Sequence, residues 1–92
     1  PFSQFIRLVY THTNNDLCRQ AAEKMSQLIL NEKESKGILD LNLIGPVPAF
    51  ASRLRGRYRW QLILRGSDPT QVLSRITLPQ GWTVDVDPVG IV

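Results

Sequence analysis

Cysteine and histidine are almost absent from this 92-residue chain: Cys18 and His12 are the single examples of each. A lone thiol closes no internal disulfide, and one cysteine with one histidine cannot complete a structural zinc site. Long apolar runs are missing too. The uninterrupted ones last only a few residues, too short to cross a bilayer as a helix. No secretory leader opens the chain, so a reducing, cytoplasmic setting is the expectation. An opening at Pro1 instead of Met suggests a piece of something longer. Glycine-rich phosphate loops, paired nucleophile and base, and oxyanion-type arrangements are lacking as well, which leaves an enzymatic reading little to stand on.

The most informative absence is local. Residues 45–66, GPVPAFASRLRGRYRWQLILRG, contain no acidic side chain and five arginines: Arg53, Arg55, Arg57, Arg59 and Arg65. The rest of the chain holds the other six basic residues and all eight acidic ones, a balance of −2. The net charge of +3 therefore originates in this segment alone. Focused positive charge of this kind makes an anion-binding surface.

What is present reads as one domain, residues 1–92. A chain of this size buries roughly 60% of its unfolded surface and can hold a core without staples. Ile6, Leu8 and Tyr10 alternate with Phe5, Arg7, Val9 and Thr11, which predicts a strand from Gln4 to His12. Thr13, Asn14 and Asn15 supply N-cap chemistry, with Asp16 placed well for the helix dipole. Leu17, Cys18, Ala21, Ala22, Met25, Leu28 and Ile29 then recur at helical spacing, and Lys33, Lys36 and Gly37 mark the end of a long helix.

Leu39, Leu41 and Leu43 alternate with Asp40, Asn42 and Ile44 as a second strand, which Gly45-Pro46-Val47-Pro48 is expected to end. Residues 49–56 read as a longer connection. Tyr58, Trp60, Leu62 and Leu64 against Arg57, Arg59, Gln61, Ile63 and Arg65 give a third strand with the cleanest alternation in the chain. Asp68 before Pro69 reads as an N-cap with proline at the first helical position, opening a short helix through Val72, Leu73 and Ile76. Trp82, Val84 and Val86 alternate with Thr83, Asp85 and Asp87 in a last strand closed by Pro88. The order βαββαβ predicts an α+β, ferredoxin-like split βαβ fold with two helices on one face of a four-stranded antiparallel sheet. Strands one and three would be central, placing Arg7, Arg57 and Arg59 on the open face with Asp40, Asp85 and Asp87 flanking them.

Three motifs in this order also carry a resemblance: Gly45-Pro46-Val47-Pro48-Ala49, Arg53-Leu54-Arg55-Gly56-Arg57-Tyr58-Arg59-Trp60-Gln61-Leu62, and Trp82-Thr83-Val84-Asp85-Val86-Asp87-Pro88. With Pro1-Phe2-Ser3 at the start, the whole chain resembles the C-terminal domain of the bacterial replication-restart helicases, the PriA or primosomal protein N′ family. The resemblance implies a fold similar to a small-subunit ribosomal protein of ferredoxin-like topology. It implies a domain beside the helicase lobes that helps bind single-stranded or branched DNA at stalled forks. The parent would be an ATP-dependent 3′-5′ DNA helicase with a zinc-binding insertion, working with primosome proteins and the single-stranded DNA-binding protein. ATP with magnesium, and zinc, belong by this resemblance to other domains, and no cofactor and no catalysis are expected of this fragment.

Arg53, Arg55, Arg57 and Arg59 are the candidate nucleic-acid contacts, because guanidinium forks grip phosphate oxygens. The bland alternative pairs them with Asp40, Asp85 or Asp87, or docks them on the helicase core. Tyr58 and Trp60 share a face with Leu62 and Leu64, so core packing is expected of them rather than base stacking, and the same holds for Trp82. Phe50, in the connection, is open to two roles: stacking on a base or filling a domain interface. Asp85 and Asp87 share a strand face but have no third ligand nearby, and ion pairing is expected of them rather than metal binding. His12 reads as a surface or capping residue and Cys18 as packing.

The leading expectation is a monomeric, non-catalytic DNA-binding accessory domain. The rival is an interaction module that docks on the helicase core or primosome partners without binding DNA itself, for which an apolar patch around Phe5, Val9, Phe50 and Ile63 is the expected mark. A free-standing RNA-binding or ribosome-associated domain ranks third.

Overall fold

Alternation in the strands and 3.6-residue periodicity in the helix translate into six elements. The computed structural model describes residues 3–87. Along the chain run β1 (Gln4–His12), α1 (Asn15–Lys36), β2 (Leu41–Leu54), β3 (Arg57–Gly66), α2 (Thr70–Leu73) and β4 (Trp82–Asp87). The strands form an antiparallel sheet in the order β2-β3-β1-β4, so β1 and β3 are central. Pro88, expected to close the last strand, lies outside the described residues.

The register between β1 and β3 sets Ile6 opposite Leu64 and Leu8 opposite Leu62, all four fully buried. Met25 and Ile29 of α1 and Val72 of α2 close over them, which places both helices on the same sheet face. Each such aliphatic side chain contributes about 1.5–3 kcal/mol on burial. Tyr10 and Trp82 extend this layer, their rings tilted at 5.2 Å between centroids. Cys18 is fully buried, its thiol directed at the Tyr10 carbonyl at 3.3 Å, and burial pushes its pKa up.

Asn14 caps α1: its Oδ1 accepts the Leu17 N–H at 3.0 Å, and Asp16 sits in the first turn. At the other end Gly37 turns left-handed at φ 65°. The Gly37 N–H reaches the Glu34 carbonyl and the Ile38 N–H reaches Lys33, the paired bonds of a Schellman motif. That turn corrects the expected start of the second strand. Ile38 folds into the core, Leu39 is thrown out to 93% exposure, and β2 begins at Leu41.

The prolines do not end β2, which continues to Leu54. The reason is its position at the sheet edge, where a missing ladder donor is tolerated. Pairing with β3 instead shifts register twice, between Ile44 and Val47 and between Pro48 and Arg53, so the strand pairs in segments. Gly45 enables the first shift. It adopts φ 105° beside a cis Gly45–Pro46 peptide, and a Cβ there would lie 2.7 Å from the Gln61 carbonyl oxygen.

The second helix is a single turn, shorter than expected, and Asp68 is not its cap. Pro69 holds the cap position without a side-chain bond, and Asp68 instead accepts from the Thr70 hydroxyl at 2.6 Å. No helix among the described residues is long and apolar enough to cross a membrane.

Leu8→Ala should cost about 2–5 kcal/mol, since the removed methyls leave a cavity under α1. Leu39→Ala should stay within about 0.5 kcal/mol. Urea unfolding of both variants checks the contrast, and an equal loss would contradict the core assignment.

Candidate nucleic-acid interface

The arginine segment becomes a hairpin. Leu54 and Arg57 form the last cross-strand pair, which leaves Arg55 and Gly56 as a two-residue turn. Both have positive φ, 53° and 76°, the requirement of a type I′ turn. Gly56 adopts this freely, but an arginine in the left-handed region is strained by about 1–2 kcal/mol. On the other side of β3, β1 stops at His12 opposite Tyr58. The tip of the hairpin therefore projects past the end of the central strand.

Strand alternation divides the arginines. Arg57 and Arg59 lie on the helix-free face, where Arg59 stands opposite Thr11. Arg53 stands opposite Tyr58 on the helix side, with its guanidinium carbon 5.4 Å from the centre of the Tyr58 ring. Arg53, Arg55 and Arg57 are exposed, and none of the three makes an ion pair among the described residues. Arg59 is half-buried and donates from Nη1 to the Phe50 carbonyl at 3.1 Å. Farther down the same face, Arg7 donates from Nε to Gln61 Oε1 at 2.9 Å, and Arg65 covers the Phe5 ring at 5.6 Å.

The acidic residues are occupied elsewhere or stand apart. Asp40 Oδ2 accepts the Ser67 N–H at 3.1 Å, fixing the connection into β2. Asp85 is exposed and forms no ion pair among the described residues. The side chain of Asp87 lies outside the described residues. Among the described residues no group of three or more His, Cys, Asp or Glu side chains is placed to hold a metal ion.

The aromatic side chains sort cleanly. Trp60 is half-buried on the helix side and donates Nε1–H to Asn15 Oδ1 at 2.9 Å, tying β3 to the start of α1. Trp82 packs against the core, and Tyr58 lies beneath Arg53. None of the three faces the open side of the sheet as a base-stacking platform would. His12 accepts the Asn14 N–H at Nδ1, 2.9 Å away, and serves the turn into α1. Phe50 is different: it is 92% exposed, and it sits in the irregular stretch of β2, not in a free loop. Phe5 and Val9, expected to form an apolar docking patch with it, are only 9% and 3% exposed.

A family model described as the primosomal protein N C-terminal domain matches residues 1–89. The chain belongs to this family. Primosomal protein N C-terminal domains are components of the replication-restart primosome, so the exposed arginines belong to a protein of DNA metabolism. The hairpin gathers Arg53, Arg55 and Arg57 at one end of the domain and sets Arg59 behind them. The bond from Arg59 to the backbone of Phe50 was hidden in the sequence, because it depends on a bulge that residue types alone do not announce.

Arg55→Asn should raise stability by up to about 1 kcal/mol, since asparagine tolerates the left-handed region. For a domain of this size that is a rise in Tm of roughly 4–8 °C. A thermal melt showing no gain would remove the strain assigned to this turn.

The hydrogen bonds from Ser67 hold the Asp40 carboxyl below the usual carboxylate range. A depressed folded-state pKa gives stability that is present above the unfolded value of about 3.9 and lost as pH falls through the lower folded value. Asp40→Asn should therefore melt earlier than the wild type at neutral pH, with the gap closing in acid. A gap that stayed constant down to about pH 3 would assign the effect to something other than ionisation.

Proposed function

We propose that this chain is the DNA-contacting accessory domain of a replication-restart helicase, and that the β2–β3 hairpin is its contact arm. Arg53, Arg55 and Arg57, with Arg59 behind them, hold phosphates of single-stranded or forked DNA without reading sequence. The observation that carries this reading is Arg55: a guanidinium side chain held at φ 53° on a hairpin tip, exposed and without an ion-pair partner among the described residues. A turn under no other demand takes glycine or asparagine there, and strain of this kind points to use.

The βαββαβ order and the β2-β3-β1-β4 arrangement support a ferredoxin-like layout for the domain. In this reading the domain is non-catalytic, monomeric as a fragment and cytoplasmic. ATP, magnesium and zinc belong to other parts of the parent chain, and its partners are the helicase core, primosome proteins and the single-stranded DNA-binding protein. The alternative, docking on the helicase core without DNA, draws on Ile44 and Val47, which are 48% and 41% exposed on the helix-free face.

Fluorescence anisotropy on labelled single-stranded and forked DNA across a salt series tests the reading. Three engaged arginines on a single strand give log K against log salt a slope of about −2.1, and four give about −2.8, from ~0.7 per phosphate. Replacing Arg53, Arg55, Arg57 and Arg59 by alanine should abolish binding in a protein that circular dichroism shows to be folded. An undetectable signal for the wild-type chain would favour the docking role.

A further inference from the structure

Phe50 is the one exposed aromatic residue among the described residues; Phe5 is buried, and Tyr10, Tyr58, Trp60 and Trp82 are half-buried. Its placement is the work of the second irregularity of β2. Between the pairs Pro48–Trp60 and Arg53–Tyr58, four residues of β2 face the single residue Arg59 of β3. Ala49, 3% exposed, anchors the start of this bulge in the protein. The Arg59 guanidinium then fixes the next carbonyl, that of Phe50. The ring is thus carried into water by a backbone that is held on both sides.

The surroundings favour one class of ligand. The core of a protein–protein interface is depleted of charge and surrounds its aromatic anchor with further apolar surface. Phe50 instead lies in a segment without a single acidic residue, three positions from Arg53 and five from the strained Arg55. Phe5 is buried at the far end of β3, opposite Arg65, and Val9 is covered, which leaves Val47, three positions earlier and 41% exposed, as the apolar side chain beside it in the strand. An exposed ring in an arginine-rich hairpin matches the pattern of single-strand binding proteins, where cations follow the phosphates and an aromatic face receives a base.

We infer that Phe50 is a nucleobase-stacking residue that makes the hairpin selective for unpaired strands over duplex. In a duplex both faces of a base are covered by its neighbours, and only an unpaired or terminal base can offer one. The inference rests on the proposed phosphate contacts of the same hairpin and adds to them a subsite that recognises the base. Arg59 acts in it as a positioning residue, through the Phe50 carbonyl.

The test uses the 92-residue chain with labelled oligo(dT), an abasic strand of the same length and charge, and a duplex. The wild type should bind oligo(dT) about fivefold or more tightly than the abasic strand, the lower end expected for one base–aromatic stack. Phe50→Ala should erase that preference while leaving abasic binding and the salt slope unchanged, and Phe50→Trp should retain it. The 92% exposure of the side chain means that neither variant threatens the fold. Equal wild-type affinity for the two strands, or a Phe50→Ala loss of the same size on both, would overturn the stack and leave the arginine contacts standing. Absence of wild-type binding to every strand would instead overturn the phosphate contacts and the stack together.

Discussion

The register between β1 and β3 is the constraint on which the rest depends. Strand side chains alternate with a period of two, so a slip of one residue would exchange the two faces entirely. Ile6 and Leu8 opposite Leu64 and Leu62 pin that register, because they have no other place to be buried. Once it is fixed, Arg57 and Arg59 must emerge on the helix-free face and Trp60 must turn toward α1. The charged surface is thus a geometric consequence of the apolar one. α1 secures the arrangement at both ends, through the Asn14 cap beside Trp60's partner Asn15 and through the Schellman turn at Gly37.

Much of this was legible in the sequence because it rests on local periodicity. The alternation of Tyr58, Trp60, Leu62 and Leu64 announced both the strand and its buried face, and the run Thr13, Asn14, Asn15 and Gly37 announced the ends of α1. The misread elements are those whose outcome depends on neighbours. Pro46 and Pro48 stop a central strand but not an edge one, and nothing in residues 45–48 says which this is. Asp68-Pro69 has the composition of a helix start, yet only one turn follows. Residues 49–56 read as a longer connection, not as strand and tight turn; that Arg55 would share the left-handed backbone of Gly56 was invisible, because arginine carries no preference for it. The exposure of Phe50 depends on a bulge four residues long against one, which no pattern of hydrophobicity specifies.

Family membership and geometry contribute different things to the functional picture. Membership among the primosomal protein N C-terminal domains connects the chain to replication restart. Geometry narrows attention within it: among the described residues, three exposed arginines with no ion pair, one arginine bonded to the backbone and one solvent-facing ring occupy a single hairpin. If the arginines hold phosphates as proposed, they would do so on any nucleic acid backbone, and discrimination would have to come from a group that is not charged. Among the described residues of the hairpin, Phe50 is the exposed aromatic side chain.

The proline-bearing edge of β2 has a further consequence, for self-association. A sheet edge beside a basic surface is hazardous, because a polyanion would crowd many copies together at high local concentration and align their open backbones. Pro46 and Pro48 withhold amide hydrogens from that edge, and the two register shifts spoil its repeat for any incoming strand. The side of the sheet that carries the arginine hairpin is therefore a poor template for polymerisation. Copies brought together at that edge would meet no regular backbone ladder to pair with.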